Sequence, residues 1–229
     1  MRLQLAAPGT RALVISSSRA INEDLVAGNQ ELEALLVSDP RLFGLVVIDP
    51  LQVEASIRQI RQYAGHAKFV GIKTTQDMYG LPLNDPGYQR ILDASRPFGL
   101  PVLAHKPGMA EAAELFPDIM FINAHANWLR SRHLTGRPNI CFDLTTSHAD
   151  VAESRLDLFI AQAGADRILF GSDSPLISPA WTLGKLASLE LTEAQLDAML
   201  IGNALRIYSK LGVASENGKN RTLSWLQRS

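Results

Sequence analysis

The stretch Ile168-Leu169-Phe170-Gly171-Ser172-Asp173-Ser174-Pro175 decides the fold of this 229-residue chain. It begins as a short apolar run, which is typical of a parallel strand that is buried on both faces. The run stops at an acidic residue, and active sites of parallel barrels lie at the carboxyl ends of the strands. We therefore predict a buried strand over Ile168–Gly171 that delivers the Asp173 carboxylate to a site.

The same pattern recurs along the chain, twice with histidine at the end of the apolar run. His105 ends one run, and His125 directly follows another. Helical patterns lie between the runs, and this alternation indicates parallel βαβ units. We predict seven strands: Ala12–Ser16, Leu42–Ile48, Phe69–Lys73, Pro101–His105, Met120–Ala124, Ile140–Leu144 and Ile168–Gly171.

Several of the intervening helices carry recognisable boundary signals. Asp85 followed by Pro86 has the form of an N-cap and a first-turn proline. The run Thr192-Glu193-Ala194-Gln195 has the form of a capping box. We predict helices over Gln52–Ala64, from Pro86 to about Arg96, over Val151–Ala163, and from Thr192 through Leu211.

Seven consecutive βα units favour a (β/α)₈ TIM barrel over an open sheet. No Gly-x-Gly-x-x-Gly follows any predicted strand, which argues against a dinucleotide fold. A complete barrel has eight strands, so we expect the first strand to be missing, with Met1–Ala7 as the end of the helix after it. We predict one barrel domain over residues 1–212 and a polar tail over 213–229.

Composition excludes several classes of protein. The net charge of −1 gives no electrostatic footprint for nucleic acid or an anionic membrane. The single cysteine, Cys141, excludes an internal disulfide framework and fits a reducing compartment. No apolar stretch approaches the ~18 residues of a spanning helix, and the first residues are too short a run for a signal peptide. We expect a cytoplasmic protein that acts on a small molecule.

Six segments of the chain resemble the amidohydrolase superfamily, in particular its amidohydrolase-related branch of metal-dependent TIM-barrel enzymes. The most specific is Asp166–Pro175, which resembles the eighth strand of that family. Gly99–His105 resembles the fifth strand, and Phe121–His125 resembles the sixth. The other segments are Ser38–Pro50, Phe69–Lys73 and Gly202–Arg206, which resemble the third strand, the fourth strand and the C-terminal helix.

The resemblance implies a role for three side chains. His105 would be a metal ligand from the fifth strand. Asp173 would touch the metal and take a proton from the bound water. His125 would hydrogen-bond substrate or bound water, or act as an acid or base. The implied cofactor is a divalent metal. Zinc is favoured, and manganese and iron stay open because imidazole and carboxylate suit them as well.

Three further side chains are predicted to contact substrate. Lys73 ends the fourth strand of the family pattern, where an ion pair or a substrate contact is expected. Asp143 lies near the end of the seventh strand and is expected to line the barrel mouth by hydrogen bonding. Asn127 follows His125 closely and is expected to shape the pocket.

The sequence leaves three functions open. The first is a metal-dependent hydrolase of an amide, lactone or ester, in which metal-activated water attacks the substrate. The second is a decarboxylase on the same scaffold. The third is a truncated or non-catalytic barrel that needs a partner or a missing N-terminal segment, because the His-x-His pair of the family's first strand is not present in this chain. The missing strand also predicts a gap between Ala12–Ser16 and Ile168–Gly171, which a neighbouring subunit of a homo-oligomer could fill.

Overall fold

The computed structural model describes residues 9–145 and 155–211. All seven predicted strands are present, and each pairs in parallel with the next in chain order. Together they form a curled half-barrel, so the predicted TIM-barrel architecture is confirmed. The strands are β1 Leu13–Ile15, β2 Leu42–Val47, β3 Phe69–Lys73, β4 Val102–Ala104, β5 Phe121–Asn123, β6 Ile140–Asp143 and β7 Ile168–Leu169.

Helices alternate with the strands. Asp85 caps the helix Pro86–Ser95 as predicted, because its carboxylate accepts a hydrogen bond from Gly87 N at 2.8 Å. Part of the predicted helix Val151–Ala163 lies outside the described residues, and its described part is Leu156–Ala163. The helices are α1 Ser18–Asn22, α2 Leu25–Leu36, α3 Val53–Tyr63, α4 Gln76–Tyr79, α5 Pro86–Ser95, α6 Met109–Leu115, α7 Trp128–Ser131, α8 Leu156–Ala163, α9 Pro179–Ala187, α10 Glu193–Asp197 and α11 Asn203–Ile207.

The two faces of the sheet bury two separate apolar clusters. Leu42 and Val46 of β2 pack with the helices outside the sheet. Phe43 and Leu45 point to the other face, into the barrel interior. This division follows from the alternation of side chains along a strand. The interior cluster also contains Tyr208, which directly follows α11 and is 5% exposed.

The last helical segment crosses the amino end of the barrel. The capping box at Thr192 is confirmed, but the helix it opens does not continue unbroken to Leu211. A wider π-helical turn over Ala198–Gly202 separates α10 from α11. Asn203, at the start of α11, donates to the carbonyls of Ala165 and Ile168 at 2.7 Å each, which ties the segment to the amino end of β7.

Lys210 ties the end of this segment to the opposite side of the barrel. Its ammonium donates to the carbonyls of Ala64, His66 and Phe69 at 2.7, 3.0 and 2.7 Å. Phe69 begins β3, so the segment spans the amino end of the sheet from β7 to β3. This segment closes the end of the barrel opposite the predicted site.

The two edges of the sheet stay apart within the described part of the chain. β1 pairs only with β2, and β7 pairs only with β6. No eighth strand is found between these edges among residues 9–145 and 155–211. Residues 1–8 and the predicted tail lie outside the described residues. The filling of the gap by a second subunit stays a prediction.

None of the described helices combines the length and the apolar character that a membrane span requires.

Candidate active site

Five of the side chains predicted from the sequence lie at the end of the sheet where the carboxyl ends of its strands meet, which we call the active-site edge. In chain order they are Lys73 at the end of β3, His105 directly after β4, His125 two residues beyond β5, Asp143 at the end of β6 and Asp173 four residues beyond β7. The strands are parallel neighbours, so their carboxyl ends meet at this edge. The two imidazole rings lie edge to face, with 5.2 Å between their centroids.

His125 and Asp173 share an uncommon backbone conformation. Both have a φ angle of 53°, in the left-handed region that residues other than glycine rarely adopt. Such conformations cost on the order of 1–3 kcal/mol each and cluster at functional sites. The Nδ1 atom of His125 is also buried without a hydrogen-bond partner in the described structure. An unpaired buried polar atom at this edge is available to a ligand.

Lys73 brings a buried amino group to this site. Its side chain is 9% exposed, and no hydrogen bond or ion pair to its ammonium is found among the described residues. Burial lowers the pKa of Lys73, because the charged form loses its hydration. The charges of Asp143, Asp173 and Asp77 act in the opposite direction and offset only part of this effect.

Asp143 shows the opposite effect of burial. Burial raises its pKa, although hydrogen bonds from Thr145 and the charges of His125 and Lys73 favour the carboxylate. Both of those bonds, from the Thr145 backbone N at 2.8 Å and from Oγ1 at 2.7 Å, fall on Oδ1 of Asp143. Oδ2 accepts no hydrogen bond from the described residues, so it is the oxygen on which a proton can reside.

Gly171 makes room for this carboxylate. A Cβ atom on Gly171 would lie 1.9 Å from Asp143 Oδ1 and 2.4 Å from Thr145 Oγ1. No side chain fits at such distances. Glycine in the decisive stretch therefore allows β7 to pass close to the end of β6.

Asn127, the remaining predicted site residue, caps a helix. Its side-chain oxygen accepts a hydrogen bond from Arg130 N at 2.9 Å, which caps the start of α7. The residue is 5% exposed. This contact accounts for an asparagine at this position, and a role of Asn127 in substrate binding stays a prediction.

Two polar residues of the site were missed in the sequence. Gln76 and Asp77, at the start of α4, both bond to His105 across 29 and 28 positions of sequence. The available signal was the polar run that directly follows Lys73 and the end of β3. Residues just beyond a barrel strand lie at the active-site edge, but the partner of each could not be read from that run.

The described side chains do not complete a metal site. Among residues 9–145 and 155–211, no group of three or more His, Cys, Asp or Glu side chains is placed to hold an ion. A catalytic zinc typically takes three protein ligands and a water. His105 Nδ1 is already bonded to Asp77 at 2.8 Å, which leaves its Nε2 as the one nitrogen open to a ligand. The divalent metal and its ligands His105 and Asp173 therefore stay predictions.

Comparison with solved structures supports the fold. An uncharacterised TIM-barrel protein from Bordetella bronchiseptica superposes with a TM-score of 0.77 at 17% identity, covering 93% of this chain and 82% of that chain. A 5-carboxyvanillate decarboxylase from Novosphingobium aromaticivorans, complexed with manganese, gives 0.71 at 15% identity, covering 91% and 79%. A 2,6-dihydroxybenzoate decarboxylase from Rhizobium gives 0.65 at 16% identity, covering 89% and 81%.

Sequence comparison supplies the family. No curated protein matches the chain. A family model described as Amidohydrolase matches residues 12–210. The match runs from the start of the predicted strand Ala12–Ser16 to the last residues that the structure describes. This match covers the strands and the whole candidate site. The resemblance inferred from the sequence is thereby confirmed, and the chain belongs to the amidohydrolase family.

Proposed function

We propose that this chain is a carboxy-lyase that removes the carboxyl group of a small organic acid at the carboxyl-end edge of β3–β7. The observation that carries this proposal is a carboxyl group with a raised pKa, Asp143, beside the buried ammonium of Lys73. Pairs of titratable groups whose environments shift their pKa values are typical of acid–base sites. The decarboxylase activity of two structural neighbours supports the same reaction class.

The proposed chemistry needs a proton donor and a cation. Decarboxylation breaks the bond between a carbon atom and its carboxylate, and a proton takes the place of the carbon dioxide that leaves. Asp143, protonated on Oδ2, would donate that proton to the carbon. The hydrogen bonds from Thr145 would then stabilise the resulting carboxylate. Lys73 would stabilise negative charge on a substrate oxygen, because a cation in a site with little water is effective there.

Hydrolysis of an amide, lactone or ester is the second candidate. Asp173 favours it, because its exposed carboxylate lies beyond β7 in a left-handed backbone conformation. In that position it could take a proton from a water molecule that attacks a carbonyl carbon. Lys73 would then stabilise the oxyanion of the tetrahedral intermediate. The two candidates share most of their residues and differ in their products.

Product analysis separates these candidates. We expect the purified full chain to release carbon dioxide from a hydroxybenzoic acid in a panel that includes 2,6-dihydroxybenzoate and 5-carboxyvanillate. Asp143→Asn should lower kcat on the order of 10²–10⁴-fold, which is the usual contribution of a general acid. Asp118→Asn is the matched control, because Asp118 precedes β5 at the opposite end of the barrel. Hydrolysis of a lactone or ester in a second panel, without release of carbon dioxide, would establish the hydrolase. If neither reaction is observed, the interpretation that remains is a non-catalytic barrel.

Metal content is tested separately from activity. Because the described residues supply only two of the three protein ligands that a catalytic zinc typically takes, we expect zinc or manganese to bind weakly through His105 and Asp173, with less than one ion per chain retained after dialysis. Elemental mass spectrometry of the wild type and Asp173→Ala measures this. A stoichiometric metal that is lost in Asp173→Ala would contradict the expectation and would identify Asp173 as a ligand.

A further inference from the structure

Thr75 carries a buried hydroxyl group for which the described residues offer no hydrogen-bond partner. The residue is 7% exposed, and its Oγ1 atom is buried without a bond in the described part of the chain. Thr75 is the N-cap of α4, where a threonine side chain usually accepts a hydrogen bond from the first turn of the helix. It makes no such bond here. A buried polar atom without a partner is destabilising, which makes this hydroxyl group a candidate for binding a ligand.

The side chain of Thr75 lies on the same face of the sheet as that of Lys73. Strand pairing continues one residue beyond β3, because Thr74 N donates to Leu103 O at 3.1 Å. The Thr74 hydroxyl lies 2.7 Å from that of Tyr88, which packs in the cluster outside the sheet. Since successive side chains of a strand point to opposite faces, Lys73 and Thr75 both face the barrel interior at the active-site edge.

Both neighbours of Thr75 are held in place. Thr74 is fixed by its bond to Tyr88. Gln76 is 1% exposed, and its side-chain amide accepts from His105 N at 2.8 Å and donates to His105 O at 3.0 Å. The backbone of Thr75 is therefore anchored on both sides, and a β-branched side chain has few rotamers. The hydroxyl group is positioned before a ligand arrives.

Lys73 supplies a second donor without a partner. Its side chain is 9% exposed, and no hydrogen bond or ion pair to its Nζ is found among the described residues. Residues two apart in a strand have their Cα atoms roughly 6–7 Å from each other on the same face. A long lysine and a short threonine at this spacing can donate hydrogen bonds to the same atom.

We propose that Lys73 and Thr75 form a two-donor site for a substrate oxygen atom that stays in the product. This inference rests on the proposed function and names its substrate class, acids with a hydroxyl or ketone oxygen conjugated to the carbon that loses carbon dioxide. When the bond to the carboxylate breaks, its electron pair passes to that carbon and, through conjugation, to this oxygen. The two donors stabilise the charge there until the pair forms the C–H bond with the proton from Asp143.

The carboxylate of the substrate fits the two-donor site less well. It loses its charge as neutral carbon dioxide forms, so donors bonded to it would stabilise the substrate more than the transition state. The oxygen that stays gains negative charge in the same step. Donors bonded to that oxygen therefore lower the barrier of the reaction.

The first test measures binding and does not depend on turnover. Isothermal titration calorimetry of the full chain compares resorcinol, which has ring hydroxyl groups and no carboxylate, with benzoate, which has a carboxylate and no hydroxyl group. Thr75→Val should raise the Kd of resorcinol about 10-fold, the usual loss for one hydrogen bond, and leave that of benzoate nearly unchanged. Thr75→Ser retains a hydroxyl group and should bind resorcinol nearly as the wild type does. A wild type that does not bind resorcinol, or a Thr75→Val variant weakened for benzoate alone, would overturn the two-donor site.

Stability measurements exclude a folding defect as the cause. Because the Thr75 hydroxyl bonds to no described residue, Thr75→Val should not lower the Tm of the ligand-free protein. Thr182→Val is the matched control, since Thr182 is 1% exposed and its Oγ1 is also unbonded among the described residues. Leu186, one turn further along α9, packs in the cluster outside the sheet, so Thr182 faces away from the site. This control should bind resorcinol like the wild type. A clear fall in the Tm of Thr75→Val would assign its hydroxyl a structural partner and overturn the proposal.

The outcomes distinguish this inference from the proposed function. Binding of resorcinol that depends on Thr75, in a protein that decarboxylates no acid on the panel, supports the two-donor site and counts against the lyase. Release of carbon dioxide from 2,6-dihydroxybenzoate at the wild-type kcat/KM in Thr75→Val supports the lyase and overturns the two-donor site.

Discussion

Lys73→Met is expected to make the protein more stable and to remove its affinity for an anionic substrate. The wild-type ammonium is buried, and it has no ion pair or hydrogen bond among the described residues. Burying a charged group costs several kcal/mol unless a partner compensates for its lost hydration, and an apolar side chain of similar size removes that cost. We expect an increase of this order in the free energy of unfolding at neutral pH, measured by urea denaturation.

The pH dependence provides an independent check of the stability effect. Burial lowers the pKa of Lys73 from the usual value of 10.5. Between the lowered pKa and 10.5, the unfolded chain binds more protons than the native protein, so the free energy of unfolding rises with pH. Lys73 contributes nothing more to this rise above 10.5. The increase should be absent in Lys73→Met, and the two stability curves should approach each other in alkali.

Lys73→Met is expected to lower kcat/KM although it raises the free energy of unfolding. Lys73 would pair with the anionic substrate, and truncating one partner of such a buried charge pair costs about 2–5 kcal/mol. This corresponds to a loss of kcat/KM of roughly 30-fold to 5,000-fold. Lys68→Met is the matched control, because Lys68 lies directly before β3, at the other end of the barrel, and donates to Pro40 O. A Lys73→Met variant that is less stable than the wild type and retains its activity would contradict both the unpaired charge and its contact with substrate.

Gly171→Ala is expected to destabilise the protein and to disrupt the proposed proton donor. The added methyl group would overlap the Asp143 carboxylate and the Thr145 hydroxyl, so one strand end must move. Overpacking of this kind typically costs about 1–3 kcal/mol. Because Asp143 would lose its position, we also expect kcat to fall by a factor comparable to that of Asp143→Asn. Thermal unfolding and the carbon dioxide assay measure the two effects.

The control for this prediction is the same chemical change at Gly184, in α9. Apart from the neighbouring residues and the backbone of the helix itself, no described atom lies within 4 Å of a Cβ at that position. Alanine is more favourable than glycine in a helix by about 0.5–1 kcal/mol, so Gly184→Ala should stabilise the protein slightly. Removal of the Asp143 side chain should recover part of the stability lost in Gly171→Ala, which a double-mutant cycle would detect. Equal stability of Gly171→Ala and the wild type would contradict the close approach of β6 and β7.

The local pattern of the sequence predicted most of the fold. Short apolar runs between helical segments marked all seven strands, because a buried parallel strand tolerates few polar residues. Asp85 and Thr192 marked helix starts, since a cap acts within three residues of its own position. The order of these elements placed Lys73, His105, His125, Asp143 and Asp173 at one edge, because parallel strands share a direction.

Local sequence patterns define where the helices and strands begin and end, and hence which side chains reach the carboxyl ends of the strands. The environment and the partners of those side chains depend on the folded structure. Asp77 meets His105 across 28 positions, and Lys210 meets Phe69 across 141. Burial of Lys73 and Asp143 shifts their pKa values in opposite directions. These effects differ in the sequence separation over which they act. Hydrophobic periodicity and helix caps depend on residues a few positions apart, whereas desolvation and hydrogen-bond partners depend on which distant segments pack together.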